Sequence, residues 1–154
     1  MEITKHLRFE FDEDSRILHL RGTRFVGITT EERLTAVMEA IRAEMRRHSG
    51  SGRMYMIIDV TNLVIPPELS QSYGRLAADI YTAYAFPNGV ARFGHQITRL
   101  AVRRGYMDFM EDDPHIFGTR AEAEAYIRSL IVRRQAKKES SATPEVTPEY
   151  SSND

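Results

Sequence analysis

Hydrophobic positions change their period several times along the chain, and each change marks an element. Leu7, Phe9 and Phe11 alternate with Arg8, Glu10 and Asp12, the period of a strand with one buried face. Glu13-Asp14-Ser15 forms a polar turn, and residues 16–22, with Ile17, Leu18 and Leu20, read as the returning strand of a hairpin. From Thr29 or Thr30 the period lengthens. Leu34, Val37, Met38, Ile41 and Met45 fall on one helical stripe, opposite Glu39, Arg42, Glu44, Arg46 and Arg47. Thr29 and Glu32 have capping-box spacing at its start, and His48-Ser49-Gly50-Ser51-Gly52 closes it as a connector.

Periodicity then disappears in Met54-Tyr55-Met56-Ile57-Ile58-Asp59-Val60, an uninterrupted apolar run ended by a carboxylate. Such a run predicts a strand covered on both faces, which sets the register of its neighbours. Pro66-Pro67-Glu68 opens a second helix with the stripe Leu69, Tyr73, Leu76, Ala77, Ile80 and Tyr84, leaving Tyr81 off the stripe and exposed. Pro87-Asn88-Gly89 is expected to end that segment, residues 90–96 to be irregular, and residues 97–104 to form the next strand. Residues 106–114 fit a short helical turn stopped by Asp-Pro. His115-Ile116-Phe117 reads as a brief strand. Thr119 with Glu122 is a second capping box, opening a helix that turns Ala123, Ile127, Leu130 and Ile131 inward. The expected architecture is one α/β domain over residues 5–135, with a mixed sheet of about five strands, an N-terminal hairpin and three to four helices. The Pro/Ser/Thr/Glu-rich residues 136–154 read as a disordered polar tail.

Composition narrows the chemistry. At 154 residues the chain has room for one core. Lys+Arg 21 against Asp+Glu 22 leaves a net charge of −1, so no global field draws nucleic acid or an anionic membrane. The absence of cysteine removes thiol catalysis and thiolate metal sites and fits a reducing compartment. Without a long apolar span or a signal-peptide core at Met1-Glu2-Ile3-Thr4-Lys5, a cytoplasmic protein with no stable membrane insertion is expected. The five histidines His6, His19, His48, His95 and His115 have no paired metal-ligand spacing, so neither metal nor other cofactor is expected. His19 reads as a sheet-facing or surface histidine.

Two segments carry a family resemblance. Met56-Ile57-Ile58-Asp59-Val60-Thr61-Asn62-Leu63 resembles the apolar strand ending in Asp-Leu-Ser of the STAS domain, the sulfate-transporter and anti-sigma-factor-antagonist fold. The stretch from Ile116-Phe117-Gly118-Thr119-Arg120 to Ile127 is similar to that family's closing helix. The likeness spans about residues 7–131 and points to the broad bacterial branch of anti-sigma-antagonist-like domains. It implies a regulatory, non-catalytic, protein-binding module with a kinase-like or signalling partner. Signalling members carry an Asp-Ser-Ser-Gly phosphorylation motif at the following helix start, where this chain has Pro66-Pro67-Glu68-Leu69-Ser70. Thr61, Ser70 and Ser72 are the hydroxyls left near that end of the sheet.

In open α/β sheets, partners are met outside the carboxyl ends of the strands. Asp59, Thr61, Asn62, Leu63, Ile65, Ser70 and Tyr73 are therefore the candidate binding residues. An isolated carboxylate such as Asp59 more commonly accepts hydrogen bonds from loop amides than acts as a general base. No Gly-x-Ser-x-Gly elbow presents a serine nucleophile, and no catalytic residue is assigned. The alternative is a lipid or small apolar-ligand carrier: the fold is also similar to lipid-binding domains of the CRAL-TRIO type, and Leu63-Val64-Ile65 with Tyr73, Tyr81 and Tyr84 would line its pocket. An enzyme of unrecognised type stands third, requiring Asp59 to share a cleft with a histidine or serine. A symmetric homodimer is the base expectation for assembly.

Overall fold

The computed structural model describes residues 2–95 and 115–142. The chain forms a hairpin of β1 (Leu7–Asp12) and β2 (Ile17–Gly22), a short strand β3 (Val26–Gly27) and helix α1 (Glu31–His48). Strand β4 (Met54–Asp59), a short β5 (Leu63–Val64) and helix α2 (Ser70–Tyr84) follow. Strands β6 (Ala85–Phe93) and β7 (Ile116–Phe117) and helix α3 (Arg120–Ala142) complete the described fold. Five strands make one mixed sheet in the order β1-β2-β4-β6-β7, antiparallel only between β1 and β2, while β3 and β5 pair separately in parallel.

The sheet grows in one direction from β2 through β4 to β6. Right-handed crossovers of parallel strands then place both connecting helices, α1 and α2, on the same face. Leu18, Leu20, Met54, Met56, Ile58 and Val90 meet them there in the larger core. The opposite face carries Ile17, Tyr55, Ile57 and Ala91 and is covered by Ala123 and Ile127 of α3. Every residue of β4 except Asp59 is buried, as its unbroken apolar run requires.

The helix starts follow local chemistry. The Thr30 hydroxyl accepts the Arg33 amide at 3.1 Å, so Thr30 is the cap of α1 and the Thr29–Glu32 spacing is not used. The expected stripe Leu34, Val37, Met38, Ile41 and Met45 is buried. At α3 the box is reciprocal: the Glu122 amide donates to the Thr119 hydroxyl at 3.2 Å, and the Thr119 amide donates to the Glu122 carboxylate at 3.1 Å. The connector after α1 is pinned by Arg16, whose guanidinium donates to the carbonyls of His48, Gly52 and Arg53.

Three expectations are corrected. Residues 90–93 are not irregular but belong to β6, and Pro87-Asn88-Gly89 does not end the segment. These turn residues are absorbed as a bulge, with Asn88 at φ 59 and the pairing shifting between Met54↔Ala85 and Met56↔Val90. Tyr81 is 9% exposed instead of solvent-facing. The buried line of α2 runs through the small residues Ser70, Gly74 and Ala77 to Ile80 and Tyr81, a rotation that lets the helix sit over Arg92. Finally, α3 continues to Ala142, past the boundary expected near residue 135. Its outer turns, Arg133-Arg134-Gln135-Ala136-Lys137-Lys138-Glu139, are rich in good helix formers and propagate a helix already anchored on the sheet. The strand expected over 97–104, the turn over 106–114 and the tail beyond 142 lie outside the described residues.

Because Ile57 of β4 is 1% exposed and packs under α3, Ile57→Ala is expected to lower the unfolding free energy by about 2–5 kcal/mol. Urea denaturation followed by circular dichroism checks this.

Candidate functional site

The segment after β4 is held from four sides. The Asp59 carboxylate accepts the Thr61 amide at 3.0 Å, closing a tight turn. The Val60 amide donates to the Phe93 carbonyl at 2.9 Å. Asn62 works in both directions, its side-chain amide donating to the Gly22 carbonyl at 3.1 Å while its carbonyl accepts the Val26 amide at 2.8 Å. Leu63 and Val64 then pair with Val26 and Gly27. Two glycines make these approaches possible. A β-carbon on Gly94 would lie 2.9 Å from a Val60 methyl and 3.1 Å from the Thr61 amide nitrogen; one on Gly22 would lie 3.1 Å from the Asn62 β-carbon.

The candidate residues therefore divide by accessibility. Asp59, Thr61, Asn62 and Ile65 are partly exposed, whereas Leu63 is buried and Ile65 packs against the same core. Leu63-Val64-Ile65 is not a flat apolar surface, because its pairing with β3 turns Leu63 inward. Ser70 is 9% exposed at the start of α2, and the Ser72 hydroxyl donates to the Glu31 carboxylate. Thr61 is the hydroxyl of the three that is neither buried nor held by a carboxylate at its side chain. Tyr73 faces inward and its hydroxyl accepts from Arg92 at 2.9 Å.

Arg92 was hidden from the sequence by its place in a stretch read as irregular. It is 1% exposed, with its guanidinium carbon 5.9 Å from the Tyr81 ring centroid. It lines an apolar cavity under α2 together with Val37, Ile41, Ile65, Tyr73 and Tyr81. That cavity measures about 40 Å³, room for a few water-sized spheres, against roughly 300–1,000 Å³ for small-molecule sites.

A second concavity lies on the opposite face of the sheet, where α3 leaves the hairpin uncovered. Asp59 and His19 line it with Arg8, Glu10, Arg21 and Arg120. This brings the β4 carboxylate and a histidine to one place, but the enclosed volume is again about 40 Å³. Burial lowers the pKa of His19 from its ordinary 6.5, helped by Arg120 and opposed by Glu124, Glu10 and Asp12. His19 is thus biased toward the neutral imidazole. Among the described residues no group of three or more His, Asp or Glu is placed to hold a metal ion, and no helix is long and apolar enough to cross a membrane.

Among the described residues, the most exposed large hydrophobic side chain sits on the edge built by the β4 loop. Phe25 is 64% exposed, one residue before β3, beside an open concavity of about 310 Å³. Ile3, His6, Arg24, Val26 and Arg33 complete that concavity, with Arg33 donating to the Gly27 carbonyl at 3.0 Å. Nothing in Thr23-Arg24-Phe25-Val26-Gly27 marks Phe25 as exposed: it stands outside any periodic segment, and only the β3–β5 pairing fixes its direction.

The neutral bias of His19 has a pH consequence. The folded state binds fewer protons here than the unfolded chain, so stability falls as pH drops through and below 6.5. The urea midpoint of the wild type is expected to fall more between pH 7.5 and 5.5 than that of His19→Gln; equal losses would exclude His19 as a source. No protein-family model, curated protein or solved structure matches this chain.

Proposed function

We propose that this chain is a non-catalytic protein-interaction module of the anti-sigma-factor-antagonist kind, docking its partner with the carboxyl-terminal edge of the sheet. The observation that carries the reading is the 64% exposure of Phe25 on a segment tied by hydrogen bonds to the loop after Asp59. A large aromatic side chain left in water on a rigid support is a feature of recognition surfaces, where such residues supply most of the binding energy.

The surroundings define the partner's chemistry. Arg24, Arg33 and His6 rim the concavity beside Phe25. They fit a folded signalling regulator that presents an apolar pocket for the ring with carboxylates around it. Asp59, Thr61 and Asn62 act as the frame of the edge and present the partly exposed Thr61 to the partner's rim. Leu63 and Ile65 support that frame from inside. A phosphorylation switch at Ser70 finds no support in its burial, and at Ser72 a phosphate would meet the Glu31 carboxylate.

The carrier reading draws no support from an apolar cavity of about 40 Å³. Nor does a concavity of that size beside Asp59 and His19 favour a substrate.

Capture experiments with extract of the native cell test the proposal. The wild-type chain is expected to retain a discrete set of proteins, Phe25→Asp to lose it, and Val132→Asp to keep it. Val132 is the appropriate control because it is 62% exposed, on α3, two residues before Arg134, which stacks on Phe86 at the opposite end of the sheet. Identical protein sets for all three chains would contradict the proposal.

A further inference from the structure

Strand β1 is the first strand of the sheet, and among the described residues no strand pairs with its outer side. It is six residues long, and its register with β2 is unbroken from Leu7↔Gly22 to Asp12↔Ile17. It contains no proline and no bulge, the usual devices that protect an edge. Leu7, Phe9 and Phe11 are only partly buried, packed against the larger core yet not covered by it.

The hydrogen-bond phase of this edge is determined by its ends. The Thr23 amide donates to the His6 carbonyl at 2.7 Å, and the Arg16 amide donates to the Asp12 carbonyl at 2.8 Å. Even-numbered residues therefore face β2. By the alternation of an antiparallel ladder, the amides and carbonyls of Leu7, Phe9 and Phe11 face outward.

We propose that β1 pairs antiparallel with β1 of a second copy about a two-fold axis at Phe9, joining two five-stranded sheets into one. In this register Phe9 lies opposite its symmetry mate and Leu7 lies opposite Phe11. These are the outward-facing residues, so each pair exchanges both of its N–H···O bonds. Between them Arg8 lies opposite Glu10, and by symmetry Glu10 opposite Arg8, in the non-hydrogen-bonded positions where side chains come closest. The apolar row continues from one copy to the next on the helix-covered face.

A like-charged pair disfavours each neighbouring register. Sliding by two residues in one direction places Glu10 opposite Glu10, and in the other places Arg8 opposite Arg8. A slip of one residue would put the polar and apolar faces on opposite sides. Of the symmetric registers, the one centred on Phe9 opposes charges without a like-charged pair; the one centred on Glu10 gains two Arg8–Asp12 pairs but sets Glu10 against its own mate.

Sedimentation of the full chain at high micromolar concentration tests this. The wild type is expected to be a dimer, Arg8→Glu and Glu10→Arg each to shift toward monomer, and the double swap to restore the dimer, with circular dichroism verifying folding. A second measurement needs no substitution: amide exchange by NMR should show the Leu7, Phe9 and Phe11 amides protected, and increasingly so with concentration. A monomeric wild type, a dimer indifferent to both single swaps, or edge amides exchanging as freely as loop amides would overturn the proposal.

Discussion

Everything in this fold depends on the double burial of β4. Parallel pairing with β2 on one side and β6 on the other leaves no edge to β4, and its apolar residues project to both faces. Each face then demands its own cover. Two helices meet one face because the sheet grows in a single direction, and the closing helix must fall on the other. Only where α3 fails to reach, over the hairpin, does the second face turn polar and collect Arg8, Glu10, His19, Arg21 and Asp59.

The same arrangement decides which groups at this end of the sheet stay exposed. Asp59 ends β4 at the point where backbone from β2, β3 and β6 converges, and two glycines allow that convergence. The resulting loop spends its polar groups on internal bonds: Asp59 on Thr61, and Asn62 on Gly22 and Val26. Groups so committed serve as scaffold. What the scaffold leaves to solvent is Phe25, with basic side chains around it. For the proposed docking edge, a preorganised aromatic side chain costs little entropy on binding.

Much of the fold was legible because it is local. The unbroken apolar run of β4, the five-residue stripe of α1 and the Thr119–Glu122 box of α3 are each written within a single short segment of chain. The failures share a different cause. Pro87-Asn88-Gly89 has turn chemistry, yet parallel pairing with β4 overrides it into a bulge within β6, and Arg92 interrupts the apolar signal that would have announced the strand. Leu63 reads as a candidate binding residue until β3 pairs with β5 and buries it, and Phe25 reads as nothing until the same pairing turns it outward. The position of the candidate edge was thus readable from Asp59 onward, while its anchor was not, because the contact that makes it crosses from residue 26 to residue 63.

The most direct test of a Phe25-centred recognition edge is a hydrogen–deuterium exchange footprint of the chain bound to a captured partner. The account predicts new protection concentrated at residues 23–28 and 61–66, with the outer turns of α3 unchanged. Protection confined to α3, or to the polar concavity beside His19 with residues 23–28 exchanging as in the free chain, would contradict it.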